Sequence, residues 1–149
     1  GDKSMKVNDD VINHWIEDIK YPDTFFILYL LYSDKNFDST SFDQDHIHPQ
    51  KLFKNRELID RISSNTLPNL MFLKGSDNQS KSSKDFRKWV EEYCKEKNMV
   101  LDNFLEENYI STDKSKLDFQ KFNEFYKDRA KRMKEALRKR FEVTSNLKY

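Results

Sequence analysis

The 149-residue sequence predicts an α+β fold that is mainly helical, with a short β-hairpin set among flanking helices. Three observations carry this expectation. Glycine and proline are scarce, at 2 and 3 residues, too few for the turn-dense connections of a sandwich or barrel. Apolar residues recur at helical spacing over most of the chain. Two short runs, 42–47 and 70–73, stand apart from that spacing as strand candidates. The length suits a single domain over residues 1–149. An aromatic share of 14%, including Phe 12 and Tyr 7, supplies the large apolar surface that such a core needs.

Residues 1–6 read as a terminal scar or disordered tail. Asn8, followed by Asp9 and Asp10, has the pattern of a helix cap with an acidic first turn. Val11, Ile12, Trp15, Ile16 and Ile19 then follow at helical spacing. Pro22-Asp23 restarts a helix whose body, Phe25–Tyr32, is apolar all round and is expected to be central and buried. Periodicity alone also allows a strand there. A polar connector, 33–41, leads into the first strand candidate. Leu52–Ile62 is expected to be helical, with Leu52, Phe53, Leu58, Ile59 and Ile62 facing inward. After the second strand candidate, Gly75–Ser83 is polar throughout and reads as a loop. Lys84–Lys97 is expected to be a helix with Phe86, Trp89, Val90 and Tyr93 on one face, and Met99–Glu107 a shorter one. The last helix should run from about Asp118 to Val143 on a stripe of Phe119, Phe122, Phe125, Tyr126, Met133, Leu137 and Phe141. Arg129 falls on that stripe, where an apolar residue is expected.

The single cysteine, Cys94, excludes a disulfide framework and a zinc ribbon of paired C-x-x-C motifs, and fits a reducing cytoplasm. There is no N-terminal signal pattern. The longest apolar run, Phe25–Tyr32, falls well short of the ~20 residues that cross a bilayer, so a cytoplasmic protein without a membrane partner is expected. Formal net charge is only +1, but Lys127–Arg140 alone carries +6, leaving −5 for the remainder. Such asymmetry can mark a phosphate-facing surface, although a charge run taken alone is more often a solvated helix face.

The stretch with chemical content is Asp45-His46-Ile47-His48-Pro49-Gln50. Asn69 follows 23 residues after His46, Asn78 nine residues later, and Lys81 three beyond that. Phosphodiester hydrolysis requires a water to lose a proton near neutral pH, and imidazole is the natural base. It also requires developing negative charge to be neutralised, which a hard divalent cation on oxygen ligands does. Asp45 offers a carboxylate and Asn78 an amide oxygen, a sparse set that leaves room for water and phosphate, as Mg²⁺ prefers. Neighbours on a strand point to opposite faces, so Asp45 and His46 need a local bend to serve one substrate.

The string Asp45–Gln50, D-H-I-x-P-Q, resembles the first motif of the HNH, or ββα-metal, nucleases. The HNH domains of RNA-guided CRISPR effector nucleases carry a similar string, with an asparagine opening the second strand, a metal-binding asparagine nine residues on, and a lysine three after that. Asn69, Asn78 and Lys81 reproduce the spacing. The whole chain is still more similar to the C-terminal nuclease domain of GmrSD-type modification-dependent restriction enzymes. The matching parts are the apolar helix at Phe25–Tyr32, D-H-I-x-P at Asp45–Pro49, N-x-L-x-N-L at Asn65–Leu70, the segment Asn78–Ser82, and a final helix with spaced phenylalanines and Arg129.

This resemblance implies a ββα-metal core of hairpin plus helix. It implies His46 as general base, Asn69 orienting the His46 ring and tying the two strands, and Asp45 and Asn78 holding Mg²⁺ or Mn²⁺. Lys81 would contact the phosphate of a DNA substrate. It further implies a role in restriction of foreign or modified DNA, and an N-terminal nucleotide-dependent regulatory domain in the intact protein, of which this chain would be a C-terminal fragment. Two departures stand out: Pro68 occupies a position where the family often has glycine, and Asn78 replaces a histidine, which disfavours softer metals.

Blander roles compete at several positions. His48, which alternates with His46 and could be a second ligand, is expected instead to pack or face solvent, His14 to be structural, Cys94 to be an inert helix residue, and Asn65, which could serve the site, to cap a turn or strand. Arg129 either pairs with a carboxylate in the core, the structural role, or reaches the scissile phosphate. Two rival functions remain at this level: a catalytically silent nucleic-acid-binding module, and a protein-interaction domain in which the motif residues do not converge.

Overall fold

The computed structural model describes residues 7–33 and 42–141, with only the backbone of 79 and 80. The expected polar connector at 34–41, the tail at 1–6 and the end of the last helix beyond Phe141 lie outside the described residues. The α+β expectation is met: helices surround one antiparallel two-stranded hairpin.

Helix α1, Asp9–Glu17, begins where the cap pattern placed it, with Val11 N donating to Asn8 Oδ1 at 3.0 Å. Helix α2, Phe25–Tyr32, is confirmed as a helix. It is not buried all round, however: Ile27, Leu28, Leu31 and Tyr32 are buried, while Phe25, Phe26 and Tyr29 lie on the open side. Pro22 sits in the preceding turn rather than at the helix start. Gln44 explains why. Its amide donates to Pro22 O at 3.0 Å and its oxygen accepts from Thr24 at 2.6 Å, tying this turn to the hairpin.

Strand β1, Phe42–His46, pairs with β2, Leu70–Lys74, in the register Phe42↔Lys74 to His46↔Leu70. Only β1 alternates in burial. Leu70 to Leu73 are all buried, because β2 has helices on both faces; Phe25 and Tyr32 of α2 meet Phe72 edge-on at 5.2 and 5.4 Å.

The long connection between the strands holds a 3₁₀ turn at Gln50–Phe53, helix α3 at Leu58–Ser63, and a second 3₁₀ turn at Leu67–Asn69. The continuous helix expected over Leu52–Ile62 is therefore broken. Phe53 reaches the core, but Leu58, Ile59 and Ile62 are 62%, 63% and 39% exposed, opposite to expectation. Backbone ties at the end of α3 set how the helix rolls: Ser64 O accepts from Asn69 Nδ2 at 2.9 Å and Asn65 O from Tyr21 N at 2.8 Å. Buried polar groups must keep these bonds, so the apolar stripe is left facing outward.

Gly75–Lys81, expected as a loop, is helix α4, directly continuing β2. Its composition gives no apolar periodicity because its inward positions are polar. Asp77 accepts from Tyr93 Oη at 2.9 Å, and Lys81 is fully buried. Seven residues do not make a stable helix alone; packing on the hairpin supplies what propensity does not.

Helices α5, Phe86–Glu96, and α6, Leu101–Glu107, match expectation. Helix α7 spans Phe122–Arg140, preceded by short 3₁₀ turns. Its lysines and arginines mostly face solvent, Arg132 pairing with Asp128 and Arg138 with Asp9. Arg129 is the exception, and its possible reach to phosphate is corrected here. The side chain is 0% exposed and donates to Leu67, Pro68, Leu70 and Asn108 carbonyls at 3.2, 3.1, 2.5 and 3.0 Å. Burial lowers its pKa to about 10, so it stays charged near neutral pH as a rivet between α7 and the start of β2. Pro68 is accommodated because it is the second residue of a 3₁₀ turn, where no amide proton is required, and its carbonyl serves Arg129.

Candidate active site

Asp45 and His46 end β1 and point to its opposite faces, as pleating demands. On the His46 face, Nε2 lies 2.8 Å from Asn65 Oδ1, and the Tyr21 ring packs against the imidazole with centroids 4.9 Å apart. Gln50 Nε2 donates to the same Asn65 oxygen at 2.8 Å. Burial lowers the His46 pKa. The bond to Asn65 opposes that shift and the Lys81 charge reinforces it. The ring is thus half-buried, neutral near pH 7 and held on one nitrogen.

The other face of β1 meets α4. Asp45 is buried and pairs with Lys81, Nζ to Oδ2 3.2 Å. Lys81 Nζ also donates to His46 O at 2.8 Å and Ile47 O at 2.9 Å. Burial raises the Asp45 pKa against the attraction of Lys81, and burial lowers that of Lys81 against the attraction of Asp45. Both shifts express the desolvation of a buried ion pair. Asn78 lies half-buried one turn before Lys81, on the same face of α4 by its i, i+3 spacing.

Asn69 is fully buried. Its oxygen accepts from His48 N at 3.0 Å, and its nitrogen donates to His48 O at 3.0 Å and Ser64 O at 2.9 Å. With Ile47 N donating to Asn69 O at 2.7 Å, this side chain welds the end of β1 to the start of β2. Its amide is spent on backbone, so it positions the strand end and does not touch the His46 ring. The orienting contact expected of Asn69 is made by Asn65 instead. The expected phosphate contact of Lys81 is likewise corrected: its ammonium is sealed and turned to Asp45 and two carbonyls.

His48 takes the packing role among its alternatives. Its ring sits among Phe86, Phe119, Phe122 and Phe125 at centroid distances of 5.8, 6.0, 5.7 and 4.6 Å. Burial depresses its pKa to about 3.

The geometry thus gathers Asp45 with Lys81, and His46 with Asn65, Gln50 and Tyr21, while Arg129 braces the scaffold behind. Sequence reasoning missed Tyr21 and Gln50 and undervalued Asn65. For Asn65 the signal was its place in N-x-L-x-N-L; Tyr21 carries none.

The hard oxygens on the α4 side of the strand are the Asp45 carboxylate, paired with Lys81, and the Asn78 amide, one turn before Lys81 on α4. Beyond the Lys81 ammonium, Asp45 Oδ2 has no hydrogen-bond partner among the described residues. Among those residues no group of three or more His, Cys, Asp or Glu side chains is placed to hold a metal. The donor set fits a cation that keeps most of its ligands as water and substrate oxygens, and not a closed protein cage.

No described helix is long and apolar enough to cross a membrane. No curated protein matches the chain. The family model describing the C-terminal domain of GmrSD restriction endonucleases matches residues 5–140.

Proposed function

Because the chain belongs to the family of GmrSD restriction endonuclease C-terminal domains, and so is a nuclease domain of restriction type, we propose that it is an HNH-type endonuclease. It would hydrolyse DNA phosphodiesters, with His46 as general base and Mg²⁺ or Mn²⁺ held by Asp45 and Asn78. The observation that supports this best is the end of β1. There a neutral, half-buried imidazole on one face of the strand is followed on the other by a buried carboxylate whose Oδ2 has, among the described residues, only the Lys81 ammonium for a partner.

His46 takes a proton from water through the ring nitrogen that Asn65 leaves free. The water oxygen bonds to phosphorus as a phosphorus–oxygen ester bond breaks. Asn69, Lys81 and Arg129 act one layer back, holding the strand ends so that His46 and Asp45 keep their places. A divalent cation, when bound, would stabilise the charge that develops on the phosphate. To hold such a cation, Asp45 would share or give up the Lys81 ammonium while Lys81 kept its bonds to the His46 and Ile47 carbonyls. The biological setting we propose is restriction of foreign or modified DNA in the cytoplasm, under control of an N-terminal nucleotide-dependent domain in the intact protein. The ammonium on Asp45 favours a second reading, a nucleic-acid-binding module without chemistry, in which the ion pair never opens.

Incubation of supercoiled plasmid with the protein and Mg²⁺, Mn²⁺ or EDTA, beside His46→Ala, separates the readings. The expected result is metal-dependent nicking, lowered on the order of 10²–10⁴-fold in the variant. Equal nicking by both proteins would remove His46 from the chemistry. Salt-dependent DNA binding with no nicking at any metal concentration would favour the silent module.

A further inference from the structure

The two contacts on the His46 ring, from Asn65 and Tyr21, go beyond the role of base, because they select which nitrogen performs it. We infer that Asn65 is a positioning residue that holds His46 in its Nε2–H tautomer, leaving Nδ1 as the proton acceptor, with Gln50 and Tyr21 completing the clamp. The inference deepens the nuclease reading and rests on it only for its consequence on rate.

Asn65 Oδ1 receives two bonds, from His46 Nε2 and from Gln50 Nε2, each at 2.8 Å. An amide oxygen accepts only, so a neutral imidazole meeting it must carry its proton on Nε2. The Gln50 bond keeps that oxygen, and not the amide nitrogen, turned towards the ring. Asn65 itself is fixed along its backbone: its N donates to Ile62 O at 3.0 Å and its O accepts from Tyr21 N at 2.8 Å. The adjoining residues Thr66 and Lys20 form an isolated β-bridge. The segment that delivers the Asn65 oxygen to the ring edge is therefore the one that delivers the Tyr21 ring to its face, 4.9 Å away. An edge and a face together fix both the plane and the tautomer of an imidazole. Asn69 cannot do this, because its amide is consumed by His48 and Ser64. The side chain four residues before it performs the task.

The tautomer is read without cleavage, by long-range proton–nitrogen correlation on ¹⁵N-histidine-labelled protein above the ordinary imidazole pKa, with His46 assigned by its absence in His46→Ala. The expected spectrum shows His46 as Nε2–H, with a proton protected from water exchange. In Asn65→Leu that proton exchanges about tenfold faster, the loss of one hydrogen bond. Asn65→Asp, which keeps an acceptor in place, retains the tautomer. In the plasmid assay kcat falls about 10–100-fold in Asn65→Leu, as for other residues that orient a catalytic group, with KM little changed and kcat recovered in Asn65→Asp. An Nδ1–H tautomer in the unaltered protein, or exchange unchanged in Asn65→Leu, would overturn the inference. If Asn65→Leu fails to fold, the unaltered protein and Asn65→Asp still decide it. Absence of nicking in every protein would sink the nuclease reading while leaving the tautomer result standing.

Discussion

His46 and His48 lie two residues apart in one string, yet they occupy opposite kinds of surroundings. His46 sits at the rim of the fold, half-buried, with an amide oxygen on its edge and a tyrosine on its face. His48 lies in the interior, ringed by four phenylalanines, with no hydrogen bond to either ring nitrogen among the described residues. The same division separates the remaining polar side chains. Asn65 and Gln50 belong to the rim; Lys81 and Arg129 belong to the interior, where both donate to backbone carbonyls and Lys81 also pairs with Asp45. Residue type therefore says little about role in this protein. A cation in the interior braces the chain ends that present the rim, and of the two imidazoles His46 alone is placed where a substrate can reach it.

The largest effect that tests this division is expected at Arg129. Arg129→Met takes the guanidinium from four buried carbonyls, of which Leu67 O keeps a bond from Leu70 N, and urea unfolding should show a loss of about 3 kcal/mol or more. A variant as stable as the parent but weakened in DNA binding would instead put Arg129 on the rim and break the comparison.

A smaller effect is expected from His48 and pH. Its pKa in the fold is depressed from 6.5 to about 3 by burial, so the unfolded chain binds the proton more readily. The stability contributed by keeping His48 neutral is complete above pH 6.5 and is lost progressively as pH falls towards 3. At pH 5 that loss should be about 2 kcal/mol, at up to about 1.4 kcal/mol per pH unit. His48→Leu keeps an apolar side chain in the cage and should lack this component. Urea midpoints of the two proteins that fall in parallel between pH 7 and 5 would mean that the cage admits the charged ring.

The smallest effect belongs to the outward stripe of α3. Leu58→Ser and Ile59→Ser should each change stability by less than about 0.5 kcal/mol, because both side chains are already in water. A thermal shift corresponding to about 2 kcal/mol or more would show that the stripe is covered and that the inward orientation expected from periodicity was correct.

The sequence alone determined the fold class, the hairpin, the cap of α1, the core face of α7 and the family to which the chain belongs. These rest on local signals: period 3.6 or 2, a capping asparagine, and the spacing of Asp45, His46, Asn69 and Asn78. It also marked the positions around which the site is built. What it left open was settled by burial and by long-range hydrogen bonds. Whether Gly75–Lys81 coils, which way Leu58 and Ile59 face, whether Lys81 and Arg129 look outward, and which asparagine meets the His46 ring all depend on partners distant in the chain. Arg129 satisfies carbonyls some sixty residues away and Lys81 those of β1. The requirement that every buried donor and acceptor be paired is imposed by the whole fold, and no local pattern of residues encodes it.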